Sequence, residues 1–141
     1  VLFFSFDSNQ EEPSVIEKRY CAFRKFFKGE ILFLTTKSAD YQEILKSVSE
    51  YLMEQPFTAI YSTADILAAK LNQIFKDISI VGVDNAEFDE FISPKLTTVA
   101  IDQVEKGKMA MSNLIDSIEN EISEDYISDS LLLVRDSVKK L

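Results

Sequence analysis

Short apolar runs alternate along this chain with stretches in which apolar residues recur every third or fourth position. Residues 1–6 (VLFFSF) are almost wholly apolar, as a strand covered on both faces would be. Ser14 and Glu17 have capping-box spacing, and Ile16, Tyr20, Phe23 and Phe27 follow at helical intervals. Gly29 is expected to stop that helix. A second strand is predicted over 31–35. Asp40 with Glu43 then opens a helix bearing Tyr41, Ile44, Leu45, Val48 and Leu52 on one face, closed by Pro56. The pattern next predicts a strand over 59–62, a helix over 65–75 and a strand over 78–83. Strands alternating with helices imply parallel β-α-β units with right-handed crossovers, hence an α/β fold.

The last third changes character. Asp102 with Glu105 opens a helix carrying Val104, Met111, Leu114, Ile115 and Ile118. An acidic, polar loop follows, and residues 130–135 return as a strand.

Composition removes several function classes. A chain of 141 residues fits one domain and buries roughly two-thirds of its unfolded surface. No apolar run approaches the ~18 residues of a membrane span, and none resembles a secretory signal. The sequence opens at Val1 within a strand pattern, so it reads as a piece of a longer protein. The single Cys21 excludes an internal disulfide, is compatible with the cytosol and is expected as a small buried helix residue. Fifteen basic against twenty-four acidic residues give a net charge of −9. The best basic cluster, Lys18, Arg19, Arg24, Lys25 and Lys28, lies on one short helix as its solvated face. Binding of DNA by these residues is therefore not expected.

Catalysis finds little support. Without His there is no conventional nucleophile–His pair and no His-containing metal site, and no Cys cluster exists for zinc. Gly29, Gly82 and Gly107 are too far apart to form a phosphate-cradling loop. The expectation is no enzyme, no cofactor and no metal. Ligands of open α/β sheets bind beyond the carboxyl ends of the strands, where Asp7, Asp65 and Asp84 all fall. A carboxylate there accepts two hydroxyl hydrogen bonds, and Arg19 supplies donors in a rigid fork. The competing reading is that these Asp residues are caps and turn formers, roles the residue favours anyway.

ISIVGVDN at 78–85, followed by SPKLTTVAIDQVEKG at 93–107, resembles the C-terminal half of the effector domain in the LacI/GalR family of bacterial regulators. Arg19 with Ala22-Phe23, TAIYSTADILAA at 58–69 and LLLVRDS at 131–137 are similar to further family segments, in the right order. There are departures. Ala22 stands where Gly is usual, Ala64 where Asn is common, and Asn85 where the family has a second Asp. Only Lys76 and Asp77 bridge a connection that is usually longer, and residues 37–40 lack the ligand-stacking aromatic, for which Tyr41 is a poor substitute.

The resemblance implies a three-layer parallel-sheet lobe of a periplasmic-binding-protein-like (type I) effector domain. Residues 1–96 would form the C-terminal lobe, 97–120 the crossover strand and helix, and 121–141 the acidic loop and returning strand, with a DNA-binding headpiece absent. It implies a cytoplasmic transcriptional regulator, a repressor by family habit, that senses a sugar or related metabolite through Arg19, Asp65 and Asp84. It further implies a homodimer formed through this lobe, with DNA met only through the missing headpiece and no membrane contact. The helix over 103–119 is expected to be buried, either within the chain or across the dimer interface. Two alternatives are a sugar-binding protein of the periplasmic transport type and a receiver-like signalling domain. The receiver requires an acidic partner beside Asp7 and a Lys-Pro order where Pro94-Lys95 stands.

Overall fold

The computed structural model describes residues 1–7, 14–54, 56–120 and 125–139. The apolar run at the start forms β1 (Leu2–Phe6), hydrogen-bonded on both sides, to β2 (Leu32–Thr36) and β3 (Ala59–Ser62). Leu2, Phe3 and Phe4 are fully buried, which is why no polar alternation was visible there. β3 pairs with β4 (Ser79–Asp84), and β4 with β5 (Thr97–Ile101), all parallel. β6 (Ser130–Leu133) closes the sheet antiparallel to β5, giving the order β2-β1-β3-β4-β5-β6. The mostly parallel sheet with covering helices is the expected α/β architecture.

Helices cover both faces. Leu2, Phe4, Ile60 and Ile80 pack against Ile44 and Val48 of α2 (Tyr41–Glu54) and Leu67 and Leu71 of α3 (Asp65–Ile74). On the opposite face Phe3, Phe33 and Tyr61 meet Tyr20 and Phe23 of α1 (Val15–Phe26), with ring centroids 4.9–5.7 Å apart. Edge-to-face and stacked pairs add to the area they bury. The α1 capping box is present: Ser14 Oγ accepts from Glu17 N at 3.2 Å, and Ser14 N donates to Glu17 Oε2 at 2.7 Å. Asp40 caps α2 by accepting from the Gln42 and Glu43 amides.

Three expectations are corrected. Gly29 is not a left-handed helix stop: α1 ends earlier, its cap Phe27 is extended, and no glycine has positive φ among the described residues. A β-carbon at Gly29 would lie 2.7 Å from the tip of the Phe27 ring, which would have to shift to admit it. Cys21 is exposed rather than buried. The third concerns α4 (Gln103–Glu119), whose N-cap Asp102 accepts from Glu105 N at 2.8 Å as predicted. None of its residues is buried within the chain, and Leu114 and Ile118 remain 54% and 73% exposed. The apolar stripe is present, and of the two expected alternatives burial within the chain is not met among the described residues. Part of the acidic loop expected after α4, residues 121–124, lies outside the described residues.

Candidate functional site

The carboxyl ends of β1, β3 and β4 open on one edge of the sheet, and two of the predicted site residues meet there. Arg19 reaches over from α1, where helical spacing aims it toward the end of β3. Its Nη1 donates to the Thr63 carbonyl at 2.6 Å, and its Nη2 lies 4.0 Å from Asp84 Oδ1 at the end of β4. Both side chains keep solvent access, at 26% and 43% exposure. Burial raises the Asp84 carboxyl above the usual range, Arg19 opposes the rise, and Asp65 adds to it. Burial likewise raises Tyr61, whose charge neighbours are the same Arg19 and Asp84. Tyr61, on β3, lines the same concavity as Arg19, so an aromatic ring stands beside the pair from β3 and not from the segment after β2. Asp84 lines a concavity of about 630 Å³ with Asn85, Ile101, Gln103 and Ser130. Arg19 lines another of about 470 Å³ with Phe23, Phe26, Phe27 and Tyr61. Asp7, at the end of β1, is exposed and its amide donates to the Thr36 carbonyl.

Asp65 is placed elsewhere. Its side chain is fully buried behind the edge, and its carboxylate is occupied internally. Thr98 Oγ1 donates to it at 2.7 and 3.0 Å, and the Ala86 amide donates to Oδ2 at 3.0 Å. The expected direct contact with a ligand does not fit this burial; the residue grips the turn after β4 from behind. Gly82 makes that possible, since a β-carbon there would collide with the Asp65 carboxylate. This glycine provides room for a buried side chain, not a special backbone angle.

Several residues that carry this arrangement had no role in the sequence reading. Asp89 sits on a 3-10 turn (Glu87–Glu90), fully buried, with the Asp65 carboxyl as a neighbouring charge. Arg135, just past β6, donates from Nη1 to the Leu96 carbonyl at 2.8 Å and from Nη2 to Asn85 Oδ1 at 2.9 Å. The same Nη2 donates to Glu90 Oε1 at 3.2 Å. Ser137 Oγ accepts from the Thr97 amide and donates to the Ile80 carbonyl, stitching the chain end between β4 and β5. The available signal was the pair of quoted segments themselves: Thr97 of the Thr-Thr pair and Arg135 and Ser137 of LLLVRDS prove to be partners.

Residues 2–138 match the family described as periplasmic binding protein-like domain. The chain belongs to that family. Relatives include the HTH-type transcriptional repressor CytR of Escherichia coli K12, 32% identical over 99 residues, covering 63% of this chain and 29% of CytR. The HTH-type repressor PurR of Aliivibrio salmonicida is 36% identical over 107 residues, covering 68% of this chain and 32% of PurR. Among solved structures, a LacI family regulator from Enterococcus faecalis V583 with bound ribose superposes with TM-score 0.84 at 22% identity. That likeness covers 99% of this chain and 54% of the other. A LacI family regulator from Arthrobacter sp. FB24 in complex with lactose gives 0.78 at 18% identity, covering 98% and 57%. The structural likenesses establish the fold, and the repressor relatives bear out the resemblance to LacI/GalR regulators. These curated relatives are transcriptional repressors. The chain spans just under a third of the length of the curated relatives, 29–32%. No helix among the described residues is long and apolar enough to cross a membrane.

Proposed function

We propose that these residues form the effector-sensing lobe of a DNA-binding transcriptional repressor that responds to a sugar or a related polyhydroxylated metabolite. The supporting observation is the Arg19–Asp84 pair, half-exposed at the carboxyl ends of the parallel strands. Asp84 accepts hydroxyl hydrogen bonds, Arg19 donates to ring or hydroxyl oxygens, and the Tyr61 ring lies beside them. Asp65 acts on the effector through the turn rather than by touching it. The ribose and lactose found with fold neighbours support this class of ligand without identifying it.

In the same reading, residues 1–96 are one lobe, 97–120 cross to a second lobe that would cover α4, and 121–141 return. Effector binding across the cleft shifts a two-state equilibrium that a headpiece outside these residues reads on DNA. Dimerisation runs through α3 and the loop before Ser93, where Ile66 and Phe91 are exposed. The protein works in the cytoplasm and catalyses no reaction.

Calorimetry on the full-length regulator with ribose, lactose and a panel of sugars and sugar phosphates tests the site. For a sugar that binds, D84N should weaken affinity about 10- to 100-fold, as loss of a charged hydrogen bond of about 1.5–3 kcal/mol requires. Unchanged affinity in D84N and R19A would remove the site. The 141-residue chain alone should bind the same sugar only feebly, because half of the cleft is missing.

A further inference from the structure

The turn that presents Asp84 carries the non-glycine positive φ values among the described residues, 122° at Asp84 and 57° at Asn85. Asn tolerates the left-handed region; Asp84 at 122° needs its surroundings to hold it there. Those surroundings are the buried polar group behind the sheet edge. The Asn85 amide donates to Thr98 Oγ1 at 3.3 Å, Thr98 in turn donates to Asp65, and the Ala86 amide donates to Asp65 directly. Arg135 holds the Asn85 side chain from the other flank.

Asp89 is the anomaly in this group. It is fully buried, yet no donor among the described residues satisfies either carboxyl oxygen. Arg135 Nη1 stops 4.0 Å from its Oδ2 while serving the Leu96 carbonyl. The remaining partner is Asp65, itself an acceptor three times over. Two adjoining buried carboxyls of this kind are compatible only when a proton lies between them, since both cannot ionise. Asp65 already accepts from Thr98 and Ala86, so the proton sits on Asp89.

We propose that Asp89 keeps its proton and points it at the Asp65 carboxylate, and that this buried pair, braced by Arg135, is the positioning device for Asp84. Burial and the neighbouring Asp65 push the Asp89 carboxyl up to about 7, against the pull of Arg135 and of the Ala86 backbone. The charged groups around it are Asp65 from α3, Arg135 beyond β6, Glu90 on the same 3-10 turn, and Asp84 with its partner Arg19. Loss of the proton sets two carboxylates against each other, and their repulsion displaces Asp65 from the Ala86 amide and Thr98, so that the Asp84 turn loosens. The consequence for effector binding rests on the reading of Asp84 as an effector contact; the proton and the turn do not.

Carbon-13 NMR of the side-chain carboxyls, with amide spectra recorded across the same pH series, tests this on the 141-residue chain without any ligand. The Asp89 carboxyl should titrate near 7, and the Asn85 and Ala86 amides should shift with the same midpoint. In D89N the amide step should vanish while the Asp84 carboxyl still titrates. An Asp89 that titrates below about pH 5, like an ordinary carboxyl, would overturn the proposal. So would amides that ignore its midpoint, or an amide step that survives in D89N. If D89N does not fold, the wild-type series decides alone. Because no sugar is present, failure here is distinct from failure of the effector reading.

Discussion

Asp89 ties protonation to stability at a single buried position. Its carboxyl titrates near 4 in an unfolded chain and is pushed up to about 7 in the fold. The folded state therefore holds a proton that the unfolded state has released across that interval. This contribution to stability is complete below about pH 4 and is lost as pH rises through about 7. Asp84, also raised, adds in the same direction. D89N should be more stable than wild type at alkaline pH by about 1–3 kcal/mol, with the gain shrinking toward mildly acidic pH. Urea unfolding across the pH range reads this directly; a D89N advantage that grows as pH falls would contradict it. Gly82 supplies a second test at this scale. G82A forces a methyl group against the Asp65 carboxylate and should cost about 1–3 kcal/mol in the same assay. A neutral substitution would mean that Asp65 has room to withdraw, and with it that the grip on the turn is loose.

At the level of elements, α4 is the conspicuous case. Its cap is satisfied, its stripe is regular, and yet Val104, Met111, Leu114, Ile115 and Ile118 all face solvent in this chain. Beside it Leu131, Leu132 and Val134 are exposed as well. Contiguous apolar surface of this kind seldom stays open on a monomer. The chain should associate at high concentration through this helix, and L114K with I118K should suppress the association in light scattering. Because these side chains contact little within the chain, the same substitutions should leave its stability within about 0.5 kcal/mol. A large loss of stability would instead show α4 packed on its own sheet in solution.

For the whole molecule, the net charge of −9 and the placement of the basic residues decide what is met directly. Lys18, Arg24, Lys25 and Lys28 are exposed on or just beyond α1, a small basic area on an acidic body. Phosphate recognition needs more cations than this, and no reading helix accompanies them. The 141-residue chain should leave duplex DNA unshifted in a mobility assay even at low salt. Tight, salt-dependent binding would overturn the assignment of DNA contact to a separate headpiece.

The order of strands and helices was legible along the chain because its causes are local. A strand covered on both faces must be continuously apolar, as LFFSF is, and a helix lying on a sheet must carry one stripe and a capped start, as Ser14–Glu17 and Asp40–Glu43 provide. The pairing of Arg19 with Asp84 was legible too, through the family resemblance and the rule that ligands meet strand ends. What only the tertiary structure decided is the direction each polar side chain takes. Asp65 turned inward rather than onto the rim because Gly82 leaves a space beside it and Thr98, 33 residues away, offers a donor. Arg135 holds a side chain 50 residues earlier in the sequence, and Asp89 is anomalous because the fold buries it with no donor to its carboxyl oxygens among the described residues. Backbone pattern is set by neighbours in sequence, whereas the charge, hydration and partner of a buried carboxyl are set by whatever the fold brings against it.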